Sequence, residues 1–155
     1  MAKTFDVIVV GVGTMGAAAC WHLSRQGFRV LGIDRYTVPH GFGAHHGHSR
    51  MIRLSYFEHP DYVPLLKRSY ALWNELEEEA KRKILIPTGG LFLGPDDGGI
   101  VPGCLRASKE HALSHELLDR ASVSSRFPQF QLEDGYVGFY ESAAGILLVE
   151  PAMVA

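Results

Sequence analysis

Cysteine is scarce: the chain has 155 residues and only Cys20 and Cys104, with no CxxC spacing. That argues against a disulfide framework and against a cysteine-built zinc site. A reducing compartment follows, expected to be cytoplasmic, with a peroxisomal address left open. Long apolar runs are also missing. The amino-terminal run FDVIVV stops at Gly11, far short of the roughly 20 residues that a membrane-crossing helix needs, so no membrane partner is expected. Nor is there a surplus of positive charge: the formal net charge is -2. A nucleic-acid module needs a concentrated basic surface, so that class of partner is set aside. Repeats and low-complexity segments are absent as well.

What remains is globular material. Hydrophobic residues make up 46% and charged residues 21% of the chain, enough to bury a core, and the length suits one domain. FDVIVV (5–10) reads as a strand buried on both faces, because it is continuous and β-branched. AAACWHLSRQG (17–27) reads as a helix closed by glycine, and RVLGID (29–34) as a second strand. Together they predict a βαβ unit. DYVPLLKRSYALWNELEEEAKRK (61–83) predicts an amphipathic helix. Asp61 can cap it, Pro64 fits its first turn, and Val63, Leu66, Tyr70, Trp73, Leu76 and Ala80 share one face. GPDDGGIVPG (94–103) reads as a surface loop. Short strands are expected at 89–94, 115–118, 136–142 and 145–149, helices at 106–113 and 121–127, and a helix opening at Pro151.

Between the first strand and helix stands GVGTMG. Gly11, Gly13 and Gly16 form GxGxxG, with Thr14 and Met15 inside it. The first glycine permits the tight turn, the second lets backbone approach a pyrophosphate, and the third lets the helix pack closely. Asp34 ends the second strand, followed by Arg35. An acid there accepts hydrogen bonds from ribose hydroxyls and disfavours a 2′-phosphate, and hence NADP. The pattern predicts an α/β, Rossmann-like dinucleotide site, without separating NAD from FAD.

The stretch GFGAHHGHSRMIR (41–53) holds His45, His46, His48, Arg50 and Arg53. A zinc site would need a third ligand at a known spacing, so no metal is expected. A nucleic-acid grip would need a further basic stripe with aromatics. The histidines could simply cap the next element. The fourth reading is a flavin wall, because the loop follows the second strand, at the sheet edge where ligands bind. An arginine there stabilises reduced flavin, and a second can clamp a carboxylate. Arg50 and Arg53 would share a face if MIR continued a helical turn.

FDVIVVGVGTMGAAA, PHGFGAHHGHSRMIR and DYVPLLKRSYALWNELE resemble the amino-terminal part of the monomeric sarcosine oxidase and N-methyl-tryptophan oxidase family. These are D-amino-acid-oxidase-like FAD oxidoreductases of glutathione-reductase type. KEHALSHELLD, SRFPQF and YVGFYESAAGILLVEP also look like family segments, so the resemblance covers essentially the whole chain. It implies an FAD-binding unit with its flavin-contacting loop over 1–60, and over 61–155 a helix and the beginning of a mixed substrate-binding sheet.

The resemblance further implies FAD with its diphosphate on Gly11, Gly13, Thr14, Met15 and Gly16, and its ribose at Asp34 and Arg35. His45, His46, Ser49 and Arg50 would lie against the flavin, with Arg50 and His46 in catalytic roles, and Arg53 would bind the substrate carboxylate. The implied chemistry is hydride transfer from the carbon beside a secondary amine to flavin N5. Imine hydrolysis and reoxidation by O2 to hydrogen peroxide would follow. The implied partners are thus a small amino acid or amine and O2. Three departures stand out. The family's SHHGDTR has Ala44 for its serine and His48 for its aspartate, which makes this loop more basic. Beyond Arg53, LSYFEHPDY replaces HAYGEG, so Phe57 and Glu58 enter the pocket.

Family members are longer, and their oxygen-activating lysine and flavin-tethering cysteine match nothing here. Covalent attachment, if any, would use a cysteine outside this chain. The expectation is therefore a fragment, a truncated product or one piece of a split protein, with a second chain or the remaining carboxyl-terminal part as partner. Two rival readings stand beside the oxidase: a module that binds nucleotide or a partner chain without turnover, and an NAD-dependent dehydrogenase. A two-strand parallel unit cannot bury its own strands. The isolated 155 residues are thus expected to associate through that sheet. Sedimentation showing a cooperatively folding monomer at low concentration would contradict this.

Overall fold

The computed structural model describes residues 4–44 and 46–155. Its elements run β1 (Val7–Val10), α1 (Thr14–Arg25), β2 (Val30–Ile33), β3 (Ser49–Ile52), α2 (Tyr62–Ala80), β4 (Leu85–Pro87) and β5 (Gly90–Pro95), then α3 (Ile100–Glu110), β6 (Glu116–Leu118), α4 (Arg120–Arg126), β7 (Tyr136–Glu141), β8 (Gly145–Leu148) and α5 (Val149–Met153). The architecture is α/β. β1 and β2 pair in parallel, Val7 opposite Val30 and Val10 opposite Ile33. The later strands form two antiparallel sheets, ordered β3-β8-β4 and β5-β7-β6.

The βαβ unit is clamped at its open end by charge. The Asp6 carboxylate accepts the Arg29 backbone N–H at 2.7 Å, Nε at 3.0 Å and Nη2 at 2.9 Å. A bidentate carboxylate–guanidinium pair fixes geometry as well as adding attraction. α1 begins three residues earlier than its alanine run predicts, because Gly13 serves as N-cap with extended backbone. Gly27, just past the C-cap, takes φ +87°, as a helix-ending glycine should. The prediction that the first strand is buried on both faces does not hold among the described residues. Ile8 is 57% and Val10 83% exposed, because only one partner strand and one helix cover this sheet.

The fully buried core lies instead from Ile52 onward. On β7, Val137, Phe139 and Glu141 face one way and Gly138 and Tyr140 the other, following strand alternation. Phe139 packs with Val101 and Cys104 of α3 and with Phe92 of β5. On the opposite face, Leu118, Val123 and Leu132 gather against Leu91, Leu93 and Tyr140. Stretch 94–103, predicted as loop, is helical from Ile100 onward. Pro102 falls within the first turn, where a missing N–H costs nothing. α4 is capped by Asp119, whose Oδ1 accepts the Ser122 N–H at 2.8 Å.

α2 keeps the predicted stripe inward but ends at Ala80, where Lys81 turns left-handed. Asp61 stands at its N-cap without a side-chain capping bond. Trp21 donates its Nε1–H to Glu79 at 3.2 Å, and Arg25 pairs with Glu75 and Glu79, so polar contacts dock α1 on α2. Two strands escaped the sequence reading. β4 is held at its start by Glu77, whose Oε1 accepts the Ile84 and Leu85 N–H groups at 2.6 and 2.8 Å. β3 replaces the expected helical turn, because it pairs with β8.

Side-chain and backbone hydrogen bonds from Arg29, together with its charge, outweigh burial and lower the Asp6 pKa to about 2. A lowered folded-state pKa stabilises above the unfolded value and is lost as pH falls through the folded one. The clamp should therefore weaken between about pH 4, the ordinary aspartate range, and pH 2. Asp6→Asn should lower the thermal midpoint at pH 7 and flatten its fall over that acidic window, as calorimetry at several pH values would show.

Candidate dinucleotide and substrate site

The turn after β1 is built so that only glycine fits at its two ends. Gly11 takes φ +90°, which L side chains rarely adopt. A Cβ on Gly16 would stand 1.8 Å from the Gly11 carbonyl oxygen, so the helix lies directly against the turn. Gly13, Thr14 and Met15 lie between them at the start of α1. Among the described residues, no side chain caps this helix end. Its leading N–H groups and the positive end of its dipole are left for an anion, and Met15 is 85% exposed beside them.

Asp34 follows β2 directly. Its Oδ2 accepts the Val12 N–H at 2.7 Å, tying the acid to the glycine turn, and Oδ1 accepts the Tyr36 N–H at 3.0 Å. His40 Nε2 lies 3.3 Å from Oδ1. The Tyr36 and Val12 N–H groups hold the Asp34 pKa below the usual carboxylate value against the opposing effect of burial, with His40 adding to the lowering. An ionised carboxylate has about four acceptor positions, so capacity remains for ribose hydroxyls. Arg35 is exposed, with its guanidinium 5.6 Å from the Tyr36 ring centroid. Turn, open helix end and acid converge, and these residues fit the adenosine diphosphate half of a dinucleotide.

The His/Arg loop is a folded-back turn feeding β3. His46 donates its N–H to the Gly43 carbonyl at 3.0 Å and is exposed. His48 is exposed too, and its carbonyl accepts the Val149 N–H at 3.1 Å. Ser49 sits opposite Leu148, and Arg50 opposite Leu147. Arg50 returns over the loop, donating to the carbonyls of Ser49 at 2.8 Å, Ala44 at 3.2 Å and His46. His45, predicted to contact flavin, lies outside the described residues. Among the described residues, no three His, Cys, Asp or Glu converge as a metal-binding group.

Arg50 and Arg53 do not share a helical face. Pairing with β8 draws Ser49–Ile52 into a strand, and alternation along an extended chain sends positions three apart to opposite sides. Arg53 therefore leaves the Arg50 loop and enters an aromatic nest. Its guanidinium carbon lies 4.3 Å from the Tyr56 ring centroid, 5.8 Å from Phe57 and 5.7 Å from Phe92. Nη2 pairs loosely with Glu58 at 3.7 Å. Its Nε is buried with no hydrogen-bond partner among the described residues. A half-buried cation with a spare donor is suited to an anion. Sequence reasoning missed Phe92 and the supports behind this nest. One signal was available for Glu141: an acid on the inward stripe of an otherwise apolar strand.

An apolar cleft of about 430 Å³ runs between α1, α2 and α5. It touches Thr14 and Arg50 at its polar margin, but Trp21, Leu72, Trp73 and Leu76 make its body. Neither Asp34 nor Arg53 lines it, so it meets the glycine turn only at Thr14 and is distinct from the aromatic nest.

Comparison with known proteins agrees with this geometry. The model of the family described as "FAD dependent oxidoreductase" matches residues 6–155. Monomeric sarcosine oxidase from Streptomyces avermitilis is 43% identical over 155 residues, covering all of this chain and 40% of that protein. N-methyl-L-tryptophan oxidase from Salmonella arizonae is 37% identical over 149 residues, 96% of this chain and 40% of the relative. The chain thus spans about 40% of the length of these curated relatives. The open form of NikD, an unusual amino acid oxidase essential for nikkomycin biosynthesis, superposes with a TM-score of 0.87 at 28% identity over 99% of this chain and 40% of NikD. L-proline dehydrogenase from P. horikoshii, at 20% identity and a TM-score of 0.78, covers 99% of this chain and 41% of its own and shares the fold. With its glycine turn, its acid and its extent of match, the chain belongs to the FAD dependent oxidoreductase family.

Proposed function

We propose that this chain carries the dinucleotide cradle and the carboxylate-binding arginine of an FAD-dependent oxidase of secondary amines. Its substrates would be N-methyl amino acids of the sarcosine kind, with O2 as the final acceptor and hydrogen peroxide as product. The observation that carries the reading is Arg53: a guanidinium walled by three aromatic rings, with a buried donor left over. Such a group binds a small carboxylate bidentately. The names of two relatives give sarcosine and N-methyl-L-tryptophan, and both compounds join a secondary amine to a carboxylate.

FAD, when bound, supplies the hydride acceptor for the carbon beside the amine. The chain's own residues bind and orient. Gly11, Gly13, Thr14, Met15 and Gly16 present backbone N–H groups to the diphosphate. Asp34 takes the ribose, with Arg35 beside it. His46, Ser49 and Arg50 border the redox ring, with His45 beside them in the sequence. Arg50 brings a fixed positive charge there, held by carbonyls of its own loop. Arg53 anchors the substrate, so the amine is presented in one orientation. The rings of Tyr56, Phe57 and Phe92 exclude water around that ion pair, which strengthens it. The remaining length of the relatives would supply the rest of the enclosure.

The full-length protein should be yellow and should release peroxide with N-methylglycine, N-methyl-tryptophan or pipecolate. Gly16→Ala should abolish the flavin absorbance, since its Cβ would force the turn apart. Arg53→Lys should raise KM for the carboxylate substrate by roughly 10- to 100-fold with a smaller change in kcat, because a hydrogen bond to a charged group is worth about 1.5–3 kcal/mol. Flavin retained by Gly16→Ala, or an unchanged KM in Arg53→Lys, would contradict the assignment.

A further inference from the structure

Glu141 is a carboxylate with 1% exposure at the end of β7, and nothing in the reading above uses it. Burying a charge is costly unless every oxygen is engaged. Here both are: Oε1 accepts the Leu54 N–H and Oε2 the Ser55 N–H, each at 2.8 Å. These two residues form the entire link between Arg53 and Tyr56, the cation and the ring it covers at 4.3 Å. α3 closes the other side of the link. Ser55 Oγ meets Ser108 Oγ at 3.0 Å, and the Ser55 carbonyl accepts the Cys104 S–H at 3.3 Å. Burial pushes the Cys104 thiol up to about 12, so it stays protonated and can donate. Gly103 is pressed so close that a Cβ there would lie 2.4 Å from the Phe57 carbonyl oxygen.

By contrast, among the described residues the Arg53 side chain has only loose polar partners of its own: Glu58 at 3.7 Å and the Met51 sulfur at 4.0 Å. Its placement is therefore inherited from the backbone that follows it. We propose that Glu141 is the positioning residue for Arg53, fixing the Leu54–Ser55 link so that the guanidinium is held over Tyr56, ready for a substrate carboxylate. The carboxylate clause rests on the oxidase reading; the placement of the guanidinium does not. Glu58 then serves as an exchangeable counter-ion, weak enough to yield to an incoming carboxylate. A neutral amide at position 141 would turn an N–H toward an N–H and release one end of the link.

The test uses the FAD-loaded full-length chain and three readouts. Hydrogen exchange over peptides spanning 52–57 reports the link. The Arg53 Nε–H resonance, assigned by its loss in Arg53→Lys, reports the ring current of Tyr56. Titration with N-methylglycine reports carboxylate affinity. In Glu141→Gln, exchange should quicken at least tenfold, the resonance should move toward that of free arginine, and the Kd should rise at least tenfold with flavin retained. Glu141→Asp, which keeps the charge but withdraws both oxygens by about one C–C bond, should do the same if the amide variant fails to accumulate. Val123→Ala removes volume from the separate α4 cluster and controls for general destabilisation; all three readouts should stay within twofold of the parent. An unmoved Arg53 resonance in both Glu141 variants, or an equal shift in Val123→Ala, overturns the proposal. If parent and Arg53→Lys bind N-methylglycine equally, the carboxylate reading falls, while exchange and resonance still decide the role of Glu141.

Discussion

Backbone N–H groups captured in pairs by carboxylates hold this structure together at the places that matter. Glu141 takes Leu54 and Ser55, Glu77 takes Ile84 and Leu85, and Asp34 takes Val12 and Tyr36. Each pair lies where the chain leaves regular structure and would otherwise leave donors without a partner. A buried donor left alone costs about 1–3 kcal/mol, a cost that bears most directly on the buried Ser55 N–H. The middle pair starts β4, the last joins the glycine turn to the end of β2, and the first directs the segment behind Arg53.

This arrangement separates two jobs. Arg50 and Arg53 lie three residues apart, yet β3 and its pairing with β8 send them into different surroundings. Arg50 is spent on the carbonyls of its own loop and becomes a fixed charge. Arg53 is surrounded by rings and pairs only loosely with Glu58 and Met51 among the described residues. A helix over the same residues would have stacked the two guanidiniums on one face and left both facing the same ligand. Strand alternation gives the two arginines different surroundings, carbonyls for one and aromatic rings for the other.

The two halves of the chain differ in how they are stabilised. From Ile52 to Val149, apolar side chains of α3 and α4 sandwich the β5-β7-β6 sheet, and the fully buried residues lie there. The βαβ unit leans more on polar contacts: the Asp6–Arg29 clamp and the bonds from Trp21 and Arg25 to α2. Ile8, Val10 and Ile33 remain open.

Local chemistry sufficed for the parts whose geometry is set within a few residues. Gly11 and Gly16 announce the turn because no other side chain survives there, and Asp34 stands where the sequence placed it, just beyond the second strand. The α2 stripe from Val63 to Ala80 follows from helical period alone. Family resemblance, carried by HHGHSRMIR, pointed to flavin where spacing left metal, capping and flavin open. What only the tertiary structure decided depends on partners far along the chain. β3 is a strand because β8 lies beside it, α3 reaches back to Ile100 because its apolar face finds Phe139, and Arg53 has its place because Glu141 holds the two residues that follow. Periodicity within a window cannot register a bond whose other end is 86 or 87 residues away.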